Sequence, residues 1–204
     1  MKNFEVTRAT IGRIPLYLRY LKDTEHSTEN ISSAAIAKAL CLGEVQVRKD
    51  LSAVSGAGRP KTGYKICDLI SSLEHFLELE KVNNVVIVGA GKLGRALLDY
   101  NGFSEYGLNI VAAFDIAVKD CQYSNSQKPI YPMSEFDEFC KNNAIKIGVI
   151  AVPADKAQEV CDVIVANDIR AILCFAPASL NVPEQVHVQY ENFALSLACL
   201  NKKI

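Results

Sequence analysis

Glycines 89, 91 and 94, in the order Gly-Ala-Gly-Lys-Leu-Gly, follow the apolar run Val85-Val-Ile-Val88. Residues of this type at this spacing can hold a dinucleotide. Gly89 permits a tight turn, Gly91 lets a pyrophosphate approach the backbone, and Gly94 lets the following helix lie close on the strand. Ala90, Lys92 and Leu93 supply the backbone between them, and the helix that starts there points amides and its positive dipole end at phosphate. An acidic side chain, Asp115, stands 21 residues after Gly94 at the end of Leu108-Asn-Ile-Val-Ala-Ala-Phe114. There it can accept hydrogen bonds from an adenosine ribose and repel a 2′-phosphate, which favours NAD(H) over NADP(H).

A second group of chemistry-bearing residues lies earlier. In Glu44-Val-Gln-Val-Arg-Lys-Asp-Leu-Ser-Ala-Val54 a helical period buries Val47, Leu51 and Val54 and turns Gln46, Arg48 and Lys49 outward. Glutamine can hydrogen-bond base edges, and arginine and lysine can meet bases or phosphates, so this face suits a DNA major groove. Gly56-Ala-Gly-Arg-Pro-Lys-Thr-Gly-Tyr64 then interleaves Arg59 and Lys61 with glycine and proline. That composition makes an exposed hairpin, a wing whose cations can grip phosphate or enter a minor groove.

Acid-base chemistry is not suggested. His26 ends a helix, His75 lies on an amphipathic helix and His187 within a late strand, so none is expected to act as a catalyst beside a nicotinamide. The seven cysteines (41, 67, 121, 140, 161, 174 and 199) include no Cys-x-x-Cys pair, which gives neither a zinc site nor a disulfide framework. Cys161 and Cys174 fall in apolar runs and read as buried thiols.

The elements that must position these groups can be read from periodicity. Arg13–Leu21 predicts a first helix with Ile14, Leu18 and Leu21 inward and Pro15 in its first turn. Residues 31–40 predict a second, capped by Ser32 or Ser33, with Ile36 and Leu40 inward. Cys41-Leu-Gly43 is a tight turn into the third, which completes a helix-turn-helix. Residues 68–79 predict an amphipathic connector helix. Strands follow at 84–89, 108–114, 145–152, 171–175 and 186–190, with helices near 134–141 and 154–166. The result is an α/β, doubly wound parallel sheet. Val152-Pro153 and Phe175-Ala176 stand at carboxyl ends of strands, where they are expected to flank the nicotinamide.

The 204 residues are 50% hydrophobic and 22% charged, enough for a sizeable core. No apolar run approaches the ~20 residues of a membrane span, and the first residues lack the apolar stretch of a leader, so a cytoplasmic location is expected. A net charge of −1 hides an asymmetry: up to Lys65 there are 11 Lys and Arg against 6 Asp and Glu, while the remainder carries 11 against 17. A basic N-terminal part fits a polyanionic partner.

Taken together the motifs resemble the Rex family of NADH-responsive transcriptional repressors. The segments that carry this are Ala9-Thr10 with Arg13-Ile-Pro-Leu-Tyr-Leu-Arg19, Ile31-Ser-Ser33, Gln46-Val-Arg-Lys-Asp-Leu-Ser52, Gly89–Leu97, Ala112-Ala-Phe-Asp115, Val152-Pro-Ala154 with Ala157-Gln-Glu-Val160, and Phe175-Ala-Pro177. The resemblance implies a winged-helix DNA-binding domain over 1–80, a Rossmann NAD(H)-binding domain over 81–190 and a C-terminal helix over 191–204 exchanged within a homodimer. It adds Ser52 to the DNA-facing set. It implies release from palindromic operator DNA when NADH binds, with the cofactor a signal rather than a reactant, and a switch built from Arg19, Tyr100 and the residue at 192. That residue is Asn192 where the family usually has Asp. The wing carries Arg-Pro-Lys-Thr where the family commonly has an Arg-Gly core. Two other classes remain: a small NAD-dependent oxidoreductase with an accessory basic domain, and a DNA-binding protein whose ligand is CoA or an adenine nucleotide.

Overall fold

The computed structural model describes residues 6–201. Residues 1–5 and 202–204, which include the start read for a leader and the end of the C-terminal segment, lie outside the described residues. The chain divides into two compact units between Lys81 and Val82.

In the first unit, α1 (Arg8–Thr24), α2 (Ser33–Ala39), α3 (Glu44–Ser55) and α4 (Ile66–Phe76) surround one core, with the short strands β1 (Asn30–Ile31) and β2 (Tyr64–Lys65) paired antiparallel beside them. Ile14, Leu18 and Leu21 of α1, Ile36 of α2, Val47 and Leu51 of α3 and Leu69 and Leu73 of α4 meet in that core. Each helix thus contributes a stripe at helical spacing, which is why periodicity alone located them. The segment read as a connector is a full core helix of this unit.

The first helix begins five residues earlier than its apolar period suggests. Thr7 caps it, accepting a hydrogen bond from the Thr10 N–H at 3.2 Å. Pro15 therefore sits inside the helix instead of its first turn. The Ile11 carbonyl is the acceptor that loses its intrahelical donor there. The earlier turn is polar, so no apolar pattern marks it.

The second unit is a seven-stranded sheet in the order β5-β6-β4-β3-β7-β8-β9, formed by β3 (Asn83–Val88), β4 (Leu108–Asp115), β5 (Gln122–Tyr123), β6 (Pro129–Pro132), β7 (Ile145–Ile150), β8 (Ala171–Cys174) and β9 (His187–Tyr190). All neighbours are parallel except β5 against β6. The unbroken run in β3 serves both faces. Val86 and Val88 enter the core with Phe136 of α6 (Phe136–Asn142) and Ile164 of α7 (Ala157–Ala166), and Val85 and Ile87 the core with Leu98 of α5 (Lys92–Asp99). The chain ends its described part in α8 (Phe193–Leu200).

Two strands of this sheet escaped the sequence reading. In β6 a proline stands at each end, and prolines argue against a strand; here both sit at its limits, where the ladder can spare their missing donors. β5 has two residues, too few for alternation to register. Asp99 closes the loop joining these strands, accepting from the Ser126 N–H at 2.9 Å and hydroxyl at 2.6 Å.

Because β3 has β4 on one side and β7 on the other, strand order reverses between β3 and β7 and leaves a crevice at their carboxyl ends. The turn there requires glycine twice. Gly89 has φ +101, and a Cβ on it would meet the Ala151 carbonyl oxygen at 2.5 Å. A Cβ on Gly94 would collide with the Gly89 carbonyl oxygen. Gly94→Ala is expected to lower the unfolding free energy by about 2 kcal/mol or more, the size of an overpacking defect, read by urea denaturation; an unchanged midpoint would show that the turn can relax.

Candidate nucleotide cleft and nucleic-acid face

The crevice opens into a cleft of about 320 Å³. Gly89, Gly91 and Asp115 lie on one side of it, and Val152 and Pro153 on another. Unlike its two neighbours in the motif, Gly91 has open space where a Cβ would stand, with nothing within 4 Å. Nothing in the protein needs that position bare, so the space fits a ligand that comes against the backbone. Gly91 caps α5, whose first amides have no partner within the helix. Lys92 and Leu93 begin the helix and are exposed, and Ala90 is buried.

Asp115 is held from two sides. Its Oδ2 accepts the Ala90 N–H at 2.7 Å and its Oδ1 the Ala117 N–H at 2.8 Å. The carboxylate therefore ties the glycine turn to the end of β4, and its remaining lone pairs are free to meet a diol. Arg95 braces the turn from behind, donating from Nε to the Ala90 carbonyl at 2.9 Å.

Val152 and Pro153 share this cleft with Asp115, where the sequence reading set them beside the nicotinamide. The parallel pairing of β7 with β3 brings them to the same crevice as Asp115. Phe175 and Ala176 lie outside the lining, at the end of β8, where Phe175 meets the ring of Phe193 in α8 with centroids 5.5 Å apart. Sequence reasoning missed the apolar wall of Ile116, Met133, Val160 and Val163. Ile116 is 82% exposed, and such a side chain directly after a strand-end acid was the available signal.

In the first unit, Arg48 and Lys49 are exposed on α3, and Ser52 is half-buried. Arg59 and Lys61 are exposed on a hairpin closed by paired hydrogen bonds between Arg59 and Gly63, at 2.7 and 2.9 Å. Lys61 occupies its tip at φ +67. Gln46 is exposed, but its Nε2 donates to Asp50 Oδ1 at 2.9 Å.

Asp50 is the residue here that sequence reasoning passed over. It is 2% exposed and collects further hydrogen bonds from α1: the Thr10 hydroxyl at 3.0 Å, Arg13 Nε at 2.7 Å and an Arg13 terminal nitrogen at 3.0 Å, and the Tyr17 hydroxyl at 2.7 Å. Burial pushes its carboxyl up, yet the bonds from Arg13, Tyr17, Gln46 and Thr10 together hold it below the usual carboxylate value. Burial, and then the hydrogen bond to Asp50, push the Tyr17 hydroxyl up to about 12, so it stays a donor. A signal existed: Val47, Asp50, Leu51 and Val54 share one stripe, and a charge on an apolar stripe demands partners.

Of the residues expected to form a switch, Arg19 and Tyr100 are exposed, and Tyr100 packs edge-on against Phe103 with centroids 5.2 Å apart. Asn192 caps α8, its Oδ1 accepting the Leu195 N–H at 2.9 Å. None of the three histidines lines the cleft. Buried Cys161 and half-buried Cys140 have thiols that burial raises to about 11. No group of three potential metal ligands is found among the described residues. Nor is any described helix long and apolar enough to cross a membrane.

A family model described as "CoA binding domain" matches residues 80–178, and one described as "Putative DNA-binding protein N-terminus" matches residues 5–52. The redox-sensing transcriptional repressor Rex of Carboxydothermus hydrogenoformans is 37% identical over 100% of this chain and 99% of its own length. This chain belongs to the Rex family. The Rex of Syntrophomonas wolfei is likewise 37% identical, over 98% of this chain and 96% of its own. Among solved structures, RSP, a Rex-family repressor, in complex with beta-NAD+ and operator DNA superposes with a TM-score of 0.90 at 31% identity, covering 98% of this chain and 92% of that one. RSP in complex with beta-NADH gives 0.84 at 30% identity, covering 97% and 93%. The N-terminal winged helix-turn-helix followed by a Rossmann-like sheet, read from the sequence, is thus the Rex-family fold.

Asp50→Asn is expected to lower the unfolding free energy by about 3 kcal/mol, the scale of breaking a buried charged pair, in urea denaturation at pH 7. A second outcome concerns acid. Bonds from Ser124 and then Ser126 lower the Asp99 carboxyl from 3.8 to about 2. A depressed folded-state value contributes stability above 3.8 that is lost as pH falls toward 2. Asp99→Asn should therefore flatten the loss of stability between pH 4 and 2 and leave the profile above pH 5 parallel to wild type. The group is exposed, so the effect is small and salt-sensitive.

Proposed function

We propose that this chain is a homodimeric repressor that binds palindromic operator DNA and is released by NADH, and so reports the NADH/NAD+ ratio. The observation that supports this most directly is one chain with both parts: a basic winged helix-turn-helix, and a glycine turn with an acidic strand end. RSP, which shares both, has been crystallised with NAD+ and operator DNA and with NADH.

On this reading the α5 amides and dipole meet the pyrophosphate through the bare Gly91, Asp115 takes the adenosine ribose, and Ile116, Val160 and Val163 cover the adenine. Lys92, Leu93 and Ala90 contribute backbone, while Gly89 and Gly94 shape the turn. Phe175 and Ala176 stand toward the nicotinamide. Arg48, Lys49 and Ser52 face the major groove with Gln46, and Arg59 and Lys61 reach phosphate or the minor groove. The nicotinamide supplies hydride chemistry to enzymes; here the titratable side chains lining the cleft are Asp115, tied to the glycine turn, and Lys156 and Glu159, paired with each other at 3.3 Å, and on this reading the nucleotide is a signal.

A ligand shifts a two-state equilibrium only by its difference in affinity for the two states. Phe175 touches Phe193, so the end of β8 reports directly to α8. That helix is apolar and uncovered: Phe193 is 58% and Leu197 66% exposed. An unburied apolar helix fits the exchanged dimer element, over 191–204. Asn192 caps it as well as Asp would. Its other group is an amide donor, however, which offers Arg19 no charge. In the switch that the family resemblance implies, Asn192 is accordingly a weaker partner for a cation than a carboxylate.

Fluorescence anisotropy of a palindromic duplex is expected to show release by NADH and little release by equal NAD+. Gly91→Ala should raise the NADH needed at least tenfold without changing the thermal midpoint of the nucleotide-free protein, because its methyl meets only the ligand. Release by CoA instead of NADH would favour the CoA-binding alternative, to which the family match over residues 80–178 owes its description. Steady turnover of NADH with a carbonyl compound would favour an oxidoreductase. Truncation after Glu191 should leave a monomer by sedimentation; a dimer that survives it would remove α8 from the interface.

A further inference from the structure

Val45 is the apolar member of an otherwise polar face. The helix α3 buries Val47, Asp50 and Leu51 along one stripe, and with 3.6 residues to the turn position 45 falls almost diametrically opposite it. Lys49 and Ser52 continue its line at i+4 and i+7, and Arg48 stands beside it at i+3. Val45 is 55% exposed, the one large apolar side chain of α3 left outside the core. We propose that Val45 reads the 5-methyl group of a thymine in each half-site of the operator. This rests on α3 being the recognition helix of the proposed repressor.

A single exposed apolar side chain is ordinary on a protein surface, so its place must carry the argument. Val45 stands in the first turn of α3, and helix-turn-helix proteins set the N-terminal residues of that helix against base edges. What covers it follows from charge. Arg48 and Lys49 lie within about one turn of it, and the chain up to Lys65 has 11 Lys and Arg against 6 Asp and Glu. Glu44, the acid of that first turn, stands about 100° round the helix from Val45. An apolar protein surface laid on this face would strip water from two cations and give them no partner. A nucleic-acid groove meets them with phosphates and base acceptors.

Within the major groove one base carries an apolar group, thymine with its C5 methyl. Arg48 and Lys49 present donors there and Ser52 a hydroxyl, so Val45 is the member of the row that gains by meeting a methyl. In a helix valine keeps one χ1 well almost always. Its two methyls are therefore fixed in direction before DNA arrives, and little ordering cost is left to binding. The helix itself gains nothing from a β-branched residue at an exposed position, where alanine is the better former.

The full-length protein selects binding duplexes from a randomised pool, and each thymine of the selected site is then replaced singly by uracil, which keeps the pairing and removes the methyl. At one position per half-site uracil is expected to weaken wild-type binding about fourfold, the worth of one buried methyl-sized group, and about fifteenfold when both half-sites carry it. Val45→Ala should bind the thymine duplex more weakly and lose the preference for thymine over uracil at that position alone. Val45→Thr keeps the shape and exchanges one methyl for a hydroxyl; it should retain part of the preference, and it carries the comparison if the alanine variant binds too weakly to measure. Because alanine is the better helix former, the melting temperature of Val45→Ala is expected to stay at or above that of wild type. The inference is overturned if every thymine keeps its full preference over uracil in the variants, since any methyl that is read is then read by another residue. It also fails if Val45→Ala selects the same sequence as wild type with the same affinity. A wild type that selects no sequence overturns the repressor reading together with this one, which sets that failure apart.

Discussion

A buried carboxylate must have its lone pairs met, and in the first unit that requirement organises everything the unit presents to the outside. Asp50 is 2% exposed. Its donors come from two helices, so α3 cannot rotate against α1 without abandoning a charge in a site that water does not reach. The apolar contacts of Leu51, Val47 and Ile14 are non-directional and would tolerate small rotations. The hydrogen bonds would not. The pin fixes the direction in which the exposed side chains of Arg48 and Lys49 leave α3.

The second unit meets its own constraint with backbone. The glycine turn brings α5 onto β3 so closely that a methyl at position 94 has no room, and β7 approaches Gly89 from the other side. Asp115 then holds the turn by the Ala90 amide while remaining open to the cleft. A turn held in this way before any ligand arrives reduces the ordering cost of binding. Phe175, at the end of β8, packs on Phe193 of α8, a helix whose apolar side chains are uncovered in the single chain.

Much of this was legible in the chain. The helices of the first unit and the strands of the second came from the spacing of apolar residues, since burial on one face imposes a period. The dinucleotide turn came from glycines that no other residue can replace. What escaped has physical reasons. The polar first turn of α1 shows no apolar period, which misplaced Pro15. The prolines bounding β6 hid a strand whose ladder they do not interrupt. Val152 and Pro153 were set at a strand end and line the crevice, whereas Phe175 and Ala176 lie outside its lining, because a linear reading does not say which neighbouring strand end a residue will face.

By itself the sequence determined the element order, the glycine turn with its acidic partner, the basic character of the N-terminal part and the family to which the chain belongs. These depend on local backbone geometry and on periodicity, both of which are written in consecutive residues. Only the tertiary structure decided what Asp50 does and which way Gln46 turns. Thr10 and Arg13 stand 40 and 37 residues from Asp50 along the chain. Their meeting is a product of helix packing, and the direction of a hydrogen bond exists only once both partners are in place.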